Sequence, residues 1–127
     1  VTKKACSDYG IEKFLCLALL NNKKMVPRPE LLRSYRVIDL YSISPVDTDT
    51  LRRAATETGL LITVEDHGPR GGIGETVAGA VAGTACPVHM LAVRRVPRSG
   101  TPEELLAFEG IDRHSVVNTV QTLLSAR

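Results

Sequence analysis

Apolar, β-branched stretches alternating with helix-patterned stretches predict an α/β domain with a parallel sheet, because strand, helix and strand in succession are the mark of βαβ crossovers. Three observations carry this. The runs "YRVIDLYSI", "LLITVED" and "CPVHMLAVRRV" are mostly apolar, as strands covered on both faces are. The stretches between and after them carry helix caps and helical spacing. The chain has 127 residues with 43% hydrophobic side chains, enough for one core and little more.

Taken in order, "YRVIDLYSI" (residues 35–43) reads as the first clear strand, buried on both faces of a parallel sheet. "SPVDTDTLRRAATETG" reads as a helix capped by Asp47, with Leu51, Ala54 and Ala55 on a narrow apolar face and Gly59 at its end. "LLITVED" is the next strand. "IGETVAGAVAG" is the next helix, with Ile73, Val77 and Val81 four apart on one face and small residues that let it lie close to the sheet. "CPVHMLAVRRV" is a third strand starting behind Pro87, where a missing amide donor does least harm. In "TPEELL", Thr101 caps a helix, Pro102 takes its first position and Glu104 completes a capping box. The final "DRHSVVNTVQTLLSAR" puts Val116, Val117, Val120, Leu123 and Leu124 on one helical stripe.

Residues 1–34 follow the rhythm less well and form a divergent N-terminal segment ahead of the domain at 35–127. "IEKFLCLALL" has a helix-like but all-round apolar pattern, and "NNKKMVPRPE" breaks it with two prolines and a basic cluster.

Charge and composition narrow the function. A net charge of +2 from 16 basic and 14 acidic side chains gives a mixed surface with no strong pull toward nucleic acid or membrane. The longest apolar run is far short of a bilayer span. Cys6, Cys16 and Cys86 are odd in number and lack CxxC spacing, which speaks against a disulfide framework or zinc knuckle and for a reducing, cytoplasmic setting. No targeting address is legible. Arg94, Arg95 and Arg98 form a basic group without an aromatic platform around it, better suited to a surface or subunit contact than to nucleic acid.

The stretch with the richest chemistry is "EDHGPRGGIGE" (Glu65 to Glu75), a glycine loop between a strand and a helix, where open α/β sheets usually keep their sites. Read from Gly72 it runs G-I-G-E-T-V, with valine where a dinucleotide fingerprint needs its third glycine, and it lacks the GK of a P-loop. A generic anion site at the helix N-terminus remains, built from backbone amides around Gly72 to Gly74 with Arg70 assisting. The carboxylates of Glu65, Asp66 and Glu75 oppose it. Close packing and tight turning explain the glycines more simply. Glu65 and His67 stand two apart without a third ligand, and His89 and His114 are isolated, so no metal site is expected. Adjacent Glu65 and Asp66 point to opposite strand faces and cannot act as a paired acid and base; a solvated strand end accounts for them. Cys16 and Cys86 read as structural thiols.

"RVIDLYSISPVD", "TVEDHGPRGGIGETVAGAV" and "LAVRRVPRSGTPEELLAFEGIDRHSV" together resemble the C-terminal domain of transketolases, in the family's order and close to its spacing, from about Arg36 onward. The resemblance implies a small three-layer α/β/α domain with a mostly parallel, Rossmann-like sheet. It implies a parent enzyme that transfers two-carbon ketol units between sugar phosphates in the pentose phosphate pathway. In that enzyme thiamine diphosphate, with magnesium or calcium, sits in the two upstream domains across a homodimer interface. The C-terminal domain then supplies no cofactor ligand and no catalytic group. The loop residues Glu65, Asp66, His67, Arg70, Gly71, Gly72 and Gly74, with Arg98, become a contact or anion-binding surface. The segment 1–34 departs from the family, whose C-terminal domains usually open with a strand, a small-residue turn and an amphipathic helix. It reads as a linker or as an altered first unit that supplies only a helix, leaving a strand edge unpaired. A free-standing ligand- or partner-binding α/β module sharing only the fold is the second functional class.

Overall fold

The computed structural model describes residues 15–19, 35–96 and 98–126. In chain order they form β1 (Leu15–Leu19), β2 (Tyr35–Asp39), α1 (Thr48–Thr58), β3 (Leu61–Val64), α2 (Ile73–Ala80), β4 (Val88–Leu91), α3 (Pro102–Glu109) and α4 (Arg113–Ser125). The strands make one sheet in the order β2-β1-β3-β4. β1 runs antiparallel to both β2 and β3, whereas β3 and β4 are parallel. Three of the four strands therefore point the same way, and β1 is inserted between them against that direction.

This corrects two expectations. Part of "IEKFLCLALL" is a strand, not a helix, because an all-round apolar run suits a strand flanked by two others as well as it suits a helix. The β2 and β3 edges that loss of a first strand would have left open are each paired to β1. The rest of 1–34, including "NNKKMVPRPE", lies outside the described residues. Within β2 the ladder partner is antiparallel, and Val37 and Ile38 are only half-buried, so this strand is not the doubly covered parallel strand that its composition predicts.

Alternation along β3 assigns the two faces of the sheet. Leu61 points to a core shared with Leu51, Ala54 and Ala55 of α1 and Ile73, Val77 and Ala80 of α2. Ile62 and Val64 point to a second core shared with Ile111, Leu106 of α3, and Val116, Val120, Leu123 and Leu124 of α4. The result is helix, sheet and helix in three layers. The layers are unequally covered: α1 and α2 each bury four residues, while α3 and α4 bury none fully. Val117, expected on the inward stripe of α4, is 47% exposed. It lies one residue, about 100° of turn, past Val116, which puts it over the edge of a stripe centred on Val116, Val120 and Leu123.

Helix ends follow the local sequence. Asp47 accepts the Thr50 amide at 3.0 Å, and Gly59, in the left-handed region at φ 71, ends α1 with its amide on Ala55 O. Thr101 and Glu104 complete the capping box of α3, behind Pro102. Asp112 caps α4 through the amides of Ser115 and His114. Arg52 of α1 donates to Ala80 O at 2.9 Å, bringing a cation to the carbonyl end of α2 and fastening the two helices together.

Candidate functional site

The carboxyl ends of β3 and β4, where a parallel pair opens its crevice, carry the glycine loop and the arginine turn respectively. The pairing runs on past the strands: Glu65 N donates to Leu91 O and Val93 N to His67 O, which holds the two segments side by side.

Glu65 is the centre of the loop. Its side chain is 2% exposed, so it is no solvated strand end. Its Oε2 accepts the Ile73 amide at 2.7 Å and its Oε1 the Gly74 amide at 3.0 Å. A buried carboxylate loses its hydration and needs such replacements. The first-turn amides of α2 lack intrahelical acceptors and sit at the positive end of the helix dipole, so each need meets the other. The glycines make room for this. A Cβ on Gly72 would lie 2.9 Å from Glu65 Cδ and closer still to Oε2; one on Gly74 would lie 2.6 Å from Met90 Sδ and 3.1 Å from Glu65 Oε1. Gly71, at φ +70, turns the chain into the helix, and its amide is held by Glu75 Oε2 at 2.7 Å. The loop thus cradles an anion, but the anion is its own glutamate.

The other loop residues face outward. Asp66, His67 and Arg70 are exposed, and His67 Nδ1 sits 2.6 Å from Gly68 O, so it shares no metal-binding geometry with Glu65. No group of three His, Cys, Asp or Glu side chains converges for a metal among the described residues. Beneath the sheet's α1/α2 face, Thr63 is fully buried and its hydroxyl has no hydrogen-bond partner among the described residues.

Residues not foreseen from sequence complete the region. Glu109 Oε2 accepts the amides of Arg94 at 2.8 Å and Arg95 at 3.1 Å, tying the arginine turn to the end of α3. Arg95 and Arg98 lie over the Phe108 ring, with guanidinium carbons 4.7 and 3.9 Å from its centroid, and Arg95 also donates to Phe108 O. The basic group therefore does have an aromatic platform, contributed by α3, fourteen residues after Arg94. A cavity of about 580 Å³ lies between the loop and α3, with Asp66, His67 and Arg98 at polar positions and Val93, Leu105 and Phe108 among its apolar ones. Only the "RR" pair and Phe108 hinted at this; the contact joins segments distant in the chain.

The transketolase C-terminal domain model matches residues 30–116. Transketolase-like protein 1 of Macaca fascicularis is 48% identical over 91 residues, covering 70% of this chain and 15% of that protein. Transketolase of Homo sapiens is 47% identical over 92 residues, covering 71% and 15%. Among solved structures, a chain described as "split gene transketolase, inactive beta4 tetramer" superposes with a TM-score of 0.58 at 31% identity, covering 73% of this chain and 29% of that one. The chain spans about 15% of the length of the curated relatives it matches. The matched span contains the whole sheet from β2 onward, the Glu65 cradle and the arginine turn, and with it the chain belongs to the transketolase C-terminal domain family.

Proposed function

We propose that this domain serves as an assembly element of a transketolase, and that the parent enzyme transfers two-carbon ketol units between sugar phosphates in the pentose phosphate pathway. The observation that carries the reading is the family match across residues 30–116, joined to a glycine loop whose helix amides are already occupied by Glu65. The match favours a transketolase domain over a free-standing module with a fold in common.

Thiamine diphosphate with magnesium or calcium is the cofactor such a parent uses, and it supplies the carbanion chemistry of ketol transfer. The described residues do not fit it. A diphosphate at the α2 N-terminus would have to displace Glu65, and Asp66 and Glu75 would repel it from either side. No three-ligand cluster waits for the cation among the described residues. The cofactor site is accordingly assigned to the upstream thiamine-binding domains, and no chemical step to this chain. What this domain offers them is a surface: the exposed loop residues Asp66, His67 and Arg70, the arginine turn, and the thinly covered α3 and α4. A solved relative described as an inactive tetramer of a split-gene transketolase is in keeping with this division. A homodimeric parent in the cytoplasm completes the proposal. No helix among the described residues is long and apolar enough to cross a membrane.

Calorimetric titration of the 127-residue chain with thiamine diphosphate and magnesium, with a ketol-transfer assay in parallel, tests this. Neither saturable binding nor turnover is expected. Micromolar binding or measurable transfer by the chain alone would overturn the assignment.

A further inference from the structure

We infer that the cavity between the glycine loop and α3 is a socket for a segment of the parent enzyme's upstream domains that presents a carboxylate beside an apolar side chain. The inference rests on the transketolase reading and names the contact through which the domain docks.

Two features set the chemistry of the occupant. Arg98 places its guanidinium carbon 3.9 Å from the centre of the Phe108 ring, and its N–H groups have no hydrogen-bond partner among the described residues. A guanidinium held against a ring with its N–H groups unbonded matches a carboxylate, which it can bind through two parallel hydrogen bonds. Of the acids nearby, Glu109 is committed to the amides of Arg94 and Arg95, and Glu104 to the cap of α3; Glu104 feels the positive charge of Arg98 but forms no ion pair with it. Asp66 is exposed, and no ion pair joins it to Arg98 among the described residues. The wall beside Arg98 is apolar, with Leu105 and Val93 half-buried and so half available.

The source of the occupant follows from chain length. About 85% of the length of the matched relatives lies outside this chain, so most of the surface that can cover the socket belongs to the rest of the same enzyme. An apolar anchor in a pocket with a charge pair at its rim is how a few contacts come to dominate docking and register.

Hydrogen-exchange mass spectrometry separates the alternatives, using the complete enzyme and the 127-residue chain, each as wild type and Arg98→Met. Residues 66–68 and 105–109 should exchange at least about tenfold more slowly in the complete enzyme than in the isolated chain. Arg98→Met should remove about tenfold of that protection in the complete enzyme, the loss expected for a charge-assisted pair, and leave the isolated chain unchanged. Protection that is present but indifferent to Arg98→Met, or docking that slows exchange elsewhere and not at these residues, overturns the socket and leaves the transketolase reading intact. Equal loss of protection in both proteins shows that Arg98 only holds α3 in place, and also overturns the socket. A complete gene without thiamine-binding domains overturns both.

Discussion

Gly72 is needed because of what Glu65 does. A side chain at Gly72 collides with a carboxylate that is pinned by two amides and cannot swing aside without giving up both. Gly72→Val should therefore lower stability by about 1–3 kcal/mol in thermal melts. Gly74→Val should cost less, because its nearest neighbour is the flexible Met90 thioether. Unchanged melting for Gly72→Val would contradict the cradle. Thr63 supplies the opposite case. Its buried hydroxyl is unpartnered among the described residues, which spends desolvation without return. Thr63→Val, similar in shape and without the hydroxyl, should raise stability by up to about 1 kcal/mol. A lower melting temperature would show that the hydroxyl has a partner.

At the scale of elements, three helices open on a carboxylate that its own cap holds below the ordinary range. Asp47 is lowered by the amide of Thr50. Glu104 is lowered by the amide of Thr101, and Asp112 by hydrogen bonds from Ser115. Because the folded-state values lie below the unfolded ones, the stability these groups add is complete above the unfolded values, near about 4, and is lost as pH falls through the folded ones. Melting temperature should be level from about pH 6 to 5 and fall below about pH 4. The Asp47→Asn, Asp112→Asn double variant keeps a capping acceptor but cannot titrate there, so its acid limb should be shallower. An identical slope would remove the caps from the acid sensitivity.

For the whole molecule, the loop "EDHGPRGGIGE" and the turn "RRVPRSG" emerge together at the carboxyl ends of β3 and β4, carrying Asp66 and Glu75 on one side and Arg94 and Arg98 on the other. We propose that the domain associates through this surface, with itself or with upstream transketolase domains. Such charges orient a contact more than they strengthen it. Sedimentation equilibrium should show association of the wild type that an Arg94→Glu, Arg98→Glu double variant weakens. A wild type that stays monomeric at high micromolar concentration, and has no affinity for those domains, would leave the surface without a partner.

What the sequence by itself determined is mainly local. The bounds of α1, the capping box of α3 and the apolar face made by Ile73, Val77 and, just past the end of α2, Val81 all depend on residues within a turn or two of each other, and all are found where the pattern puts them. The family motifs likewise carried the fold class. Direction and pairing were not legible, because an apolar run such as "FLCLALL" satisfies a strand or a helix until its neighbours decide, and β1 turned out to be an antiparallel strand between two others. The meaning of the glycine loop was hidden for the same reason. Glu65 sits eight and nine residues before the amides it accepts, and only the packing of α2 over β3 takes that carboxylate out of water and places it at the helix's positive end. Tertiary structure thus made one of the carboxylates that oppose an external anion the occupant of the loop.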